Sequence, residues 1–188
     1  MFELTLLDHL RLTFGHVVYR HKIHSQLAHS RARTGRWLRA LEAVLIASAG
    51  GFALAGVFGN SRVYTVVSAV LALFSLVALL VHLAIDVDAS ALVHGACAAR
   101  LWPLREKYRA LLSDLADGAI DIETARQRRD ALIDELTKIY EHAPPADLPE
   151  YQTAAKAAAA ATEGALTDEE IDRFLPGSLR KVGKSEAA

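Results

Sequence analysis

Ala43 to Ser61 reads AVLIASAGGFALAGVFGNS, and Val63 to Ile85 reads VYTVVSAVLALFSLVALLVHLAI. Between Ala43 and Ile85 the only Asp, Glu, Lys or Arg is Arg62, in a chain that is 23% charged. A helix needs ~20 apolar residues to cross the ~30 Å hydrocarbon core of a bilayer. The second run meets this with ease, and the first, diluted by Gly and Ser, meets it narrowly. Gly59, Asn60, Ser61 and Arg62 separate them, and Gly and Asn end helices because both tolerate left-handed backbone angles. The two runs therefore read as a tight transmembrane hairpin. The alternative is a buried hairpin of a soluble bundle, but soluble helices of this length normally carry one polar face.

Charge partitions around that hairpin. Residues 1–42 carry a net +4, residues 43–85 a net +1 and residues 86–188 a net −6, leaving −1 for the 188-residue chain. This balance gives no reason to expect nucleic acid as a partner. Lys and Arg near span ends set orientation. Arg20, Lys22, Arg31, Arg33, Arg36 and Arg39 precede the first span, and Arg100, Arg105, Lys107 and Arg109 follow the second. Both termini are thus expected in the cytoplasm. The start, MFELTLL, lacks a basic region and a cleavage site, so the first span is expected to act as an uncleaved anchor. Arg31, Arg33, Arg36 and Arg39 are expected to meet anionic lipid headgroups, with a nucleotide as the other candidate ligand.

The spans differ in texture. The first carries small residues every fourth position, at Ala43, Ala47, Gly51, Ala55 and Gly59. Such stripes let helix backbones approach closely in lipid. The second carries Ser61, Thr65, Ser68, Ala72, Ser75, Leu79, His82 and Asp86 at alternating steps of four and three, with a closing step of four. A 3.5-residue repeat keeps one seam turned to a left-handed partner. Two uses of this polar seam are open. It is glue between helices, or, if copies of the chain meet around an axis, it lines a water-filled path with Leu79 as a hydrophobic constriction.

The flanks read as helices. Residues 1–42 form an amphipathic helix with heptad steps at Leu7, Leu10, Phe14, Val17, His21 and His24. After the second span the helix is expected to run on without a break. Residues 86–142 form a helical hairpin whose first arm steps Cys97, Leu101, Leu104, Tyr108, Leu111, Leu115, with Pro103 expected to kink it or to start a new helix. Asp117-Gly118 end that arm, and Asp121 caps the next helix, Ile122 to His142. Residues 143–188 comprise a proline turn, an Ala-rich helix from Glu150 to Ala165, a helix from Asp168 to Leu175 opened by a Thr167/Glu170 capping box, and a flexible tail. The fold class is an all-α membrane protein: a two-span hairpin with a cytoplasmic helical bundle or stalk.

Sites for chemistry are absent from the pattern. There is no phosphate-binding glycine loop, no nucleophile elbow and no framed pair of catalytic carboxylates. Cys97 is the single cysteine, which excludes a disulfide within the chain. His21 with His24, and His94 with Cys97, each lie one turn apart, but two ligands do not make a metal site. No enzyme, cofactor or metal is expected.

The order of several short features resembles the SLATT proteins, two-transmembrane effectors associated with nucleotide-signalling and SLOG sensor proteins in prokaryotic conflict systems. These features are a basic helix with Arg36-Trp37 leading into the first span, a very short loop, Tyr108-Arg109-Ala110-Leu111-Leu112-Ser113-Asp114-Leu115 through Gly118-Ala119-Ile120, Arg129-Asp130-Ala131-Leu132, and Ala143-Pro144 ahead of Tyr151 and Ala154-Ala155. The resemblance spans roughly residues 5–165. It implies an effector of the bacterial inner membrane that forms a homo-oligomer and permeabilises the membrane when triggered. The chain shows no sensor domain, so a sensor or signal-synthase partner, or a nucleotide signal, is the implied trigger. A non-conducting scaffold and an accessory subunit of a transporter remain as other classes.

Overall fold

The computed structural model describes residues 5–59, 61–145 and 167–180. Among these there are helices and no strands: α1 Leu6–Gly59, α2 Arg62–Ile85, α3 Val87–Ala116, α4 Ile122–Tyr140, α5 Asp168–Asp172 and a 3-10 turn Gly177–Leu179. The expected Ala-rich helix and the tail beyond Arg180 lie outside the described residues; the start of that tail, expected to be flexible from Ser178, is instead ordered, with Gly177–Leu179 in the 3-10 turn and Arg180 Nε donating to the Leu175 carbonyl. Two compact units emerge, one from residues 1–27 with 93–188 and one from residues 28–92.

The first unit is a helical bundle. Cys97, Leu101, Leu104, Tyr108 and Leu111 of α3 are all at most 5% exposed, so the expected 4-3 spacing is the core seam of that helix. Against it pack Leu10, Phe14, Val17 and Val18 of α1 and Ala125, Leu132 and Ile139 of α4. Leu7, the first of the expected heptad positions, stays 40% exposed and instead edges a small cavity with Arg11, Leu112 and Leu179. Pro103 lies inside α3 and neither breaks it nor starts a new helix. It is exposed, where carbonyls deprived of a partner can turn to water. After Asp117, Gly118 takes φ +67°, a backbone angle that glycine adopts without steric penalty. Asp121 then accepts a hydrogen bond from the Thr124 amide at 2.7 Å and starts α4, as its spacing predicts.

The segment 167–180 is held to the bundle by burial and charge together. Thr167 and Glu170 form the expected capping box, although the helix closes at Asp172 rather than Leu175. Ile171 and Leu175 join the core. Arg11, 2% exposed, pairs with Asp172, 6% exposed, and also donates to the Leu179 carbonyl.

The second unit is the antiparallel hairpin. The expectation that the helix runs on past the second span is not met: Asp86 adopts φ 46°, ψ 49° and ends α2. Asp is among the few non-glycine residues that enter the left-handed region because its short side chain bonds locally. The Asp86 carbonyl accepts from the Ser90 amide at 3.1 Å, so α3 begins at once. Only 6% of the most apolar window of either long helix is buried. Phe58, Val57, Leu54, Leu73 and Leu83 are each more than 60% exposed. A core helix of a soluble bundle would hide such side chains, and water does not tolerate an apolar face of this extent. The hairpin thus has the length, composition and exposure of a membrane element rather than those of a core hairpin.

Candidate functional site

The candidate site is the hairpin itself. Its internal contact is a pair of facing rows. On α1 the row is Gly35, Glu42, Ala49 and Gly56, spaced by sevens, three of them buried and Glu42 half-buried. On α2 the row is Ser61, Ser68, Ser75 and His82, also spaced by sevens, with Ser75 buried and the others half-buried. Seven residues complete nearly two turns, so such a row drifts only ~20° per step and keeps facing one neighbour. A four-residue step drifts ~40° and slides off it.

Close approach is permitted where side chains are smallest. A Cβ on Gly56 would lie 2.8 Å from Thr65 Oγ1 and 3.1 Å from the Thr65 amide nitrogen. Ser68 Oγ donates to the Ala49 carbonyl at 2.8 Å, which satisfies a hydroxyl that lipid would leave without a partner. Phe52 and Tyr64 rings meet at 6.1 Å near the tip. At the other end His82 Nδ1 lies 2.9 Å from Glu42 Oε1 and His82 Nε2 lies 3.7 Å from Asp88. Asp88 also pairs with Arg39 and crowds Gly35, where a Cβ would meet its carboxylate. These four side chains close the base of the hairpin.

The polar seam read from the sequence therefore divides in two. Ser61, Ser68, Ser75 and His82 turn towards α1. Of the alternate positions, Ala72, Leu79 and Asp86 are exposed, and Thr65, exposed on one side, meets Gly56 of α1 on the other. The small-residue stripe lies on another face of α1 than the one used within the hairpin. Ala43, Ala47, Gly51, Ala55 and Gly59 are all exposed, and nothing comes within 4 Å of a Cβ built on Gly51 or Gly59. Gly51 and Ala55 floor an open groove of about 390 Å³ walled by Ser48, Phe52 and Tyr64. Sequence reasoning missed Gly35, Glu42, Ala49, Gly56 and Asp88. The signal for the first four was their seven-residue spacing. Of the basic cluster, Arg33, Arg36 and Arg39 are exposed and Arg31 half-buried, and Trp37 beside them is 72% exposed.

Among the described residues no three His, Cys, Asp or Glu side chains gather as a metal site. Cys97 is buried, and that burial pushes its thiol up, so it is held as a neutral packing group.

Residues 6–170 match the family of SMODS and SLOG-associating 2TM effector domains, family 4. The chain belongs to SLATT family 4. The matched stretch takes in the whole hairpin, helices α3 and α4 and the capped start of α5, and ends just before Asp172. No curated protein and no solved structure matches the chain. The SLATT assignment agrees with the architecture found here, and it places the protein among the two-transmembrane effectors of conflict systems.

Proposed function

We propose that this SLATT effector oligomerises in the bacterial inner membrane, with both termini in the cytoplasm, and permeabilises that membrane when an infection signal reaches its cytoplasmic helices. The observation that carries the reading is the unused face of α1. Five small residues stand exposed in the spanning segment, two of them, Gly51 and Ala55, flooring a groove, while the hairpin holds together through a different row. In lipid, helices associate by packing rather than by hydrophobicity, and small residues are the surfaces that pack. Two spans cannot enclose an aqueous path, so a conducting state needs several copies. The row then available to such a path is Thr65, Ala72, Leu79 and Asp86. Ser68, Ser75 and His82 would join it only on rotation of α2 against α1. The Lys/Arg excess next to both span ends supports the orientation. The trigger in this reading is a separate sensor, a signal synthase or a diffusible nucleotide.

The test is membrane potential in cells expressing the full chain, followed with a voltage-sensitive dye during phage challenge. The wild type should depolarise the cell. Gly51→Leu, which fills the groove, should abolish this, and Gly50→Leu, off the stripe, should weaken it less. A potential that stays intact with the wild type would instead identify a scaffold or an accessory subunit.

A further inference from the structure

Two histidines that sequence spacing assigns to separate pairs meet in the fold. His24 of α1 and His94 of α3 are 1% and 5% exposed. Their Nδ1 atoms lie 3.0 Å apart, and their rings are 5.2 Å apart at 33°. Both stand at the end of the bundle where α1 and α3 continue into the hairpin, since the bundle unit runs to Leu27 on α1 and resumes at Val93 on α3.

We propose that the His24–His94 pair is a proton-operated switch: sharing one proton it ties α1 to α3, and protonation of both rings parts the helices at this end of the bundle. A neutral imidazole presents one donor and one acceptor nitrogen, whereas a protonated ring presents two donors. A 3.0 Å contact between two Nδ1 atoms therefore has room for one hydrogen. The second proton points one N–H at another and puts two positive rings side by side, away from water.

The surroundings oppose that charge. Burial acts first, then the charge His94 carries when protonated and the Arg20 guanidinium, and together they hold the His24 ring down from 6.5 to about 4. On α3 the Cys97 thiol, three residues beyond His94, feels the Arg100 and Arg20 guanidinium charges. From α4 comes the Tyr140 phenol, which lines a cavity of about 240 Å³ with Arg20, His24, Ala143, Pro144 and Pro145. That cavity gives protons a way to the ring.

The sign of the effect follows from linkage. The closed state binds protons less well than the opened one, so its stability is complete above pH 6.5 and is lost as pH falls through 4. In that window one released constraint raises the opening constant by up to about tenfold per pH unit. An effector that leaks protons would thereby loosen its own bundle further.

The experiment uses the full chain in lipid nanodiscs. Hydrogen–deuterium exchange at histidine C2 titrates His24, and amide exchange, corrected for its intrinsic pH dependence, follows residues 17–27 and 93–101 from pH 7.5 to 4.5. His24 should titrate below pH 5.5, and protection of both segments should fall at least tenfold across the range. His24→Gln keeps a neutral hydrogen-bonding group against His94 and should retain the fold while abolishing the pH step. His24→Leu with His94→Leu should do the same. A midpoint for His24 near 6.5, protection that does not change with pH, or a step that survives in His24→Gln would overturn the proposal.

Discussion

Replacing Gly56 by alanine tests whether the hairpin is held by the seven-residue row. The added Cβ would sit 2.8 Å from Thr65 Oγ1 and 3.1 Å from the Thr65 amide nitrogen. The hydroxyl is short and already donates to the Ser61 carbonyl at 3.3 Å, and the amide belongs to the backbone, so the helices themselves must move apart. Overpacking of this kind costs ~1–3 kcal/mol. Alanine also gains ~1 kcal/mol of helix propensity over glycine, which partly masks the clash. Gly51→Ala provides the correction, because the same gain applies there and nothing lies within 4 Å of its new Cβ. The difference between the two variants isolates the clash at ~1–3 kcal/mol, a ratio of ~5–150 in the hairpin closing constant. Fluorescence transfer between dyes on Val44→Cys and Leu83→Cys, in a Cys97→Ser background, reports closure during an SDS titration of dilute, monomeric protein in mild micelles. Gly56→Ala should shift the midpoint to lower SDS and Gly51→Ala should not. Equal midpoints, or a larger loss for Gly51→Ala, would refute the assignment of the contact row.

Removing Arg11 takes the guanidinium away from the buried Asp172 carboxylate, and breaking such a pair costs ~3–5 kcal/mol. Arg11→Ala should therefore lower the thermal midpoint of the bundle in detergent and expose residues 167–180 to protease, whereas Arg11→Met with Asp172→Leu should recover most of the loss; an unchanged midpoint in Arg11→Ala would show that the pair does not hold the segment. If the exposed row of α2 lines the path, Leu79→Ser should make liposomes carrying the protein leak dye without a trigger. Cysteines at Thr65, Ala72 and Leu79 should then label from water in the conducting state, while one at Val66 or Leu73 stays protected. Labelling of the Val66 and Leu73 face would reject that lining.

The spans, the caps and the core seam of α3 were legible along the chain because each is a property of one helix. Uncharged runs of spanning length mark the hairpin, Asp121 and Thr167 each sit at the distance a cap requires, and the run from Cys97 to Leu111 alternates as a core face must. The break at Asp86 was not legible. Aspartate has no strong tendency to end helices, and its left-handed backbone becomes visible only once α2 and α3 are both placed. The stripe at Ala43, Ala47, Gly51, Ala55 and Gly59 is real as a pattern, yet the hairpin ignores it.

Sequence alone determined that two helices cross lipid and that their neighbours build an apolar bundle, because hydropathy and periodicity are summed over consecutive residues. Only the tertiary structure decided which faces meet. The rotation of α1 against α2 is set by where two backbones approach most closely, and that brings Gly56 to Thr65 and Ala49 to Ser68 rather than the more conspicuous stripe. It likewise joins His24 to His94 and Arg11 to Asp172, which stand 70 and 161 residues apart. Buried polar groups find partners across the fold, and nothing in the local sequence records where those partners are.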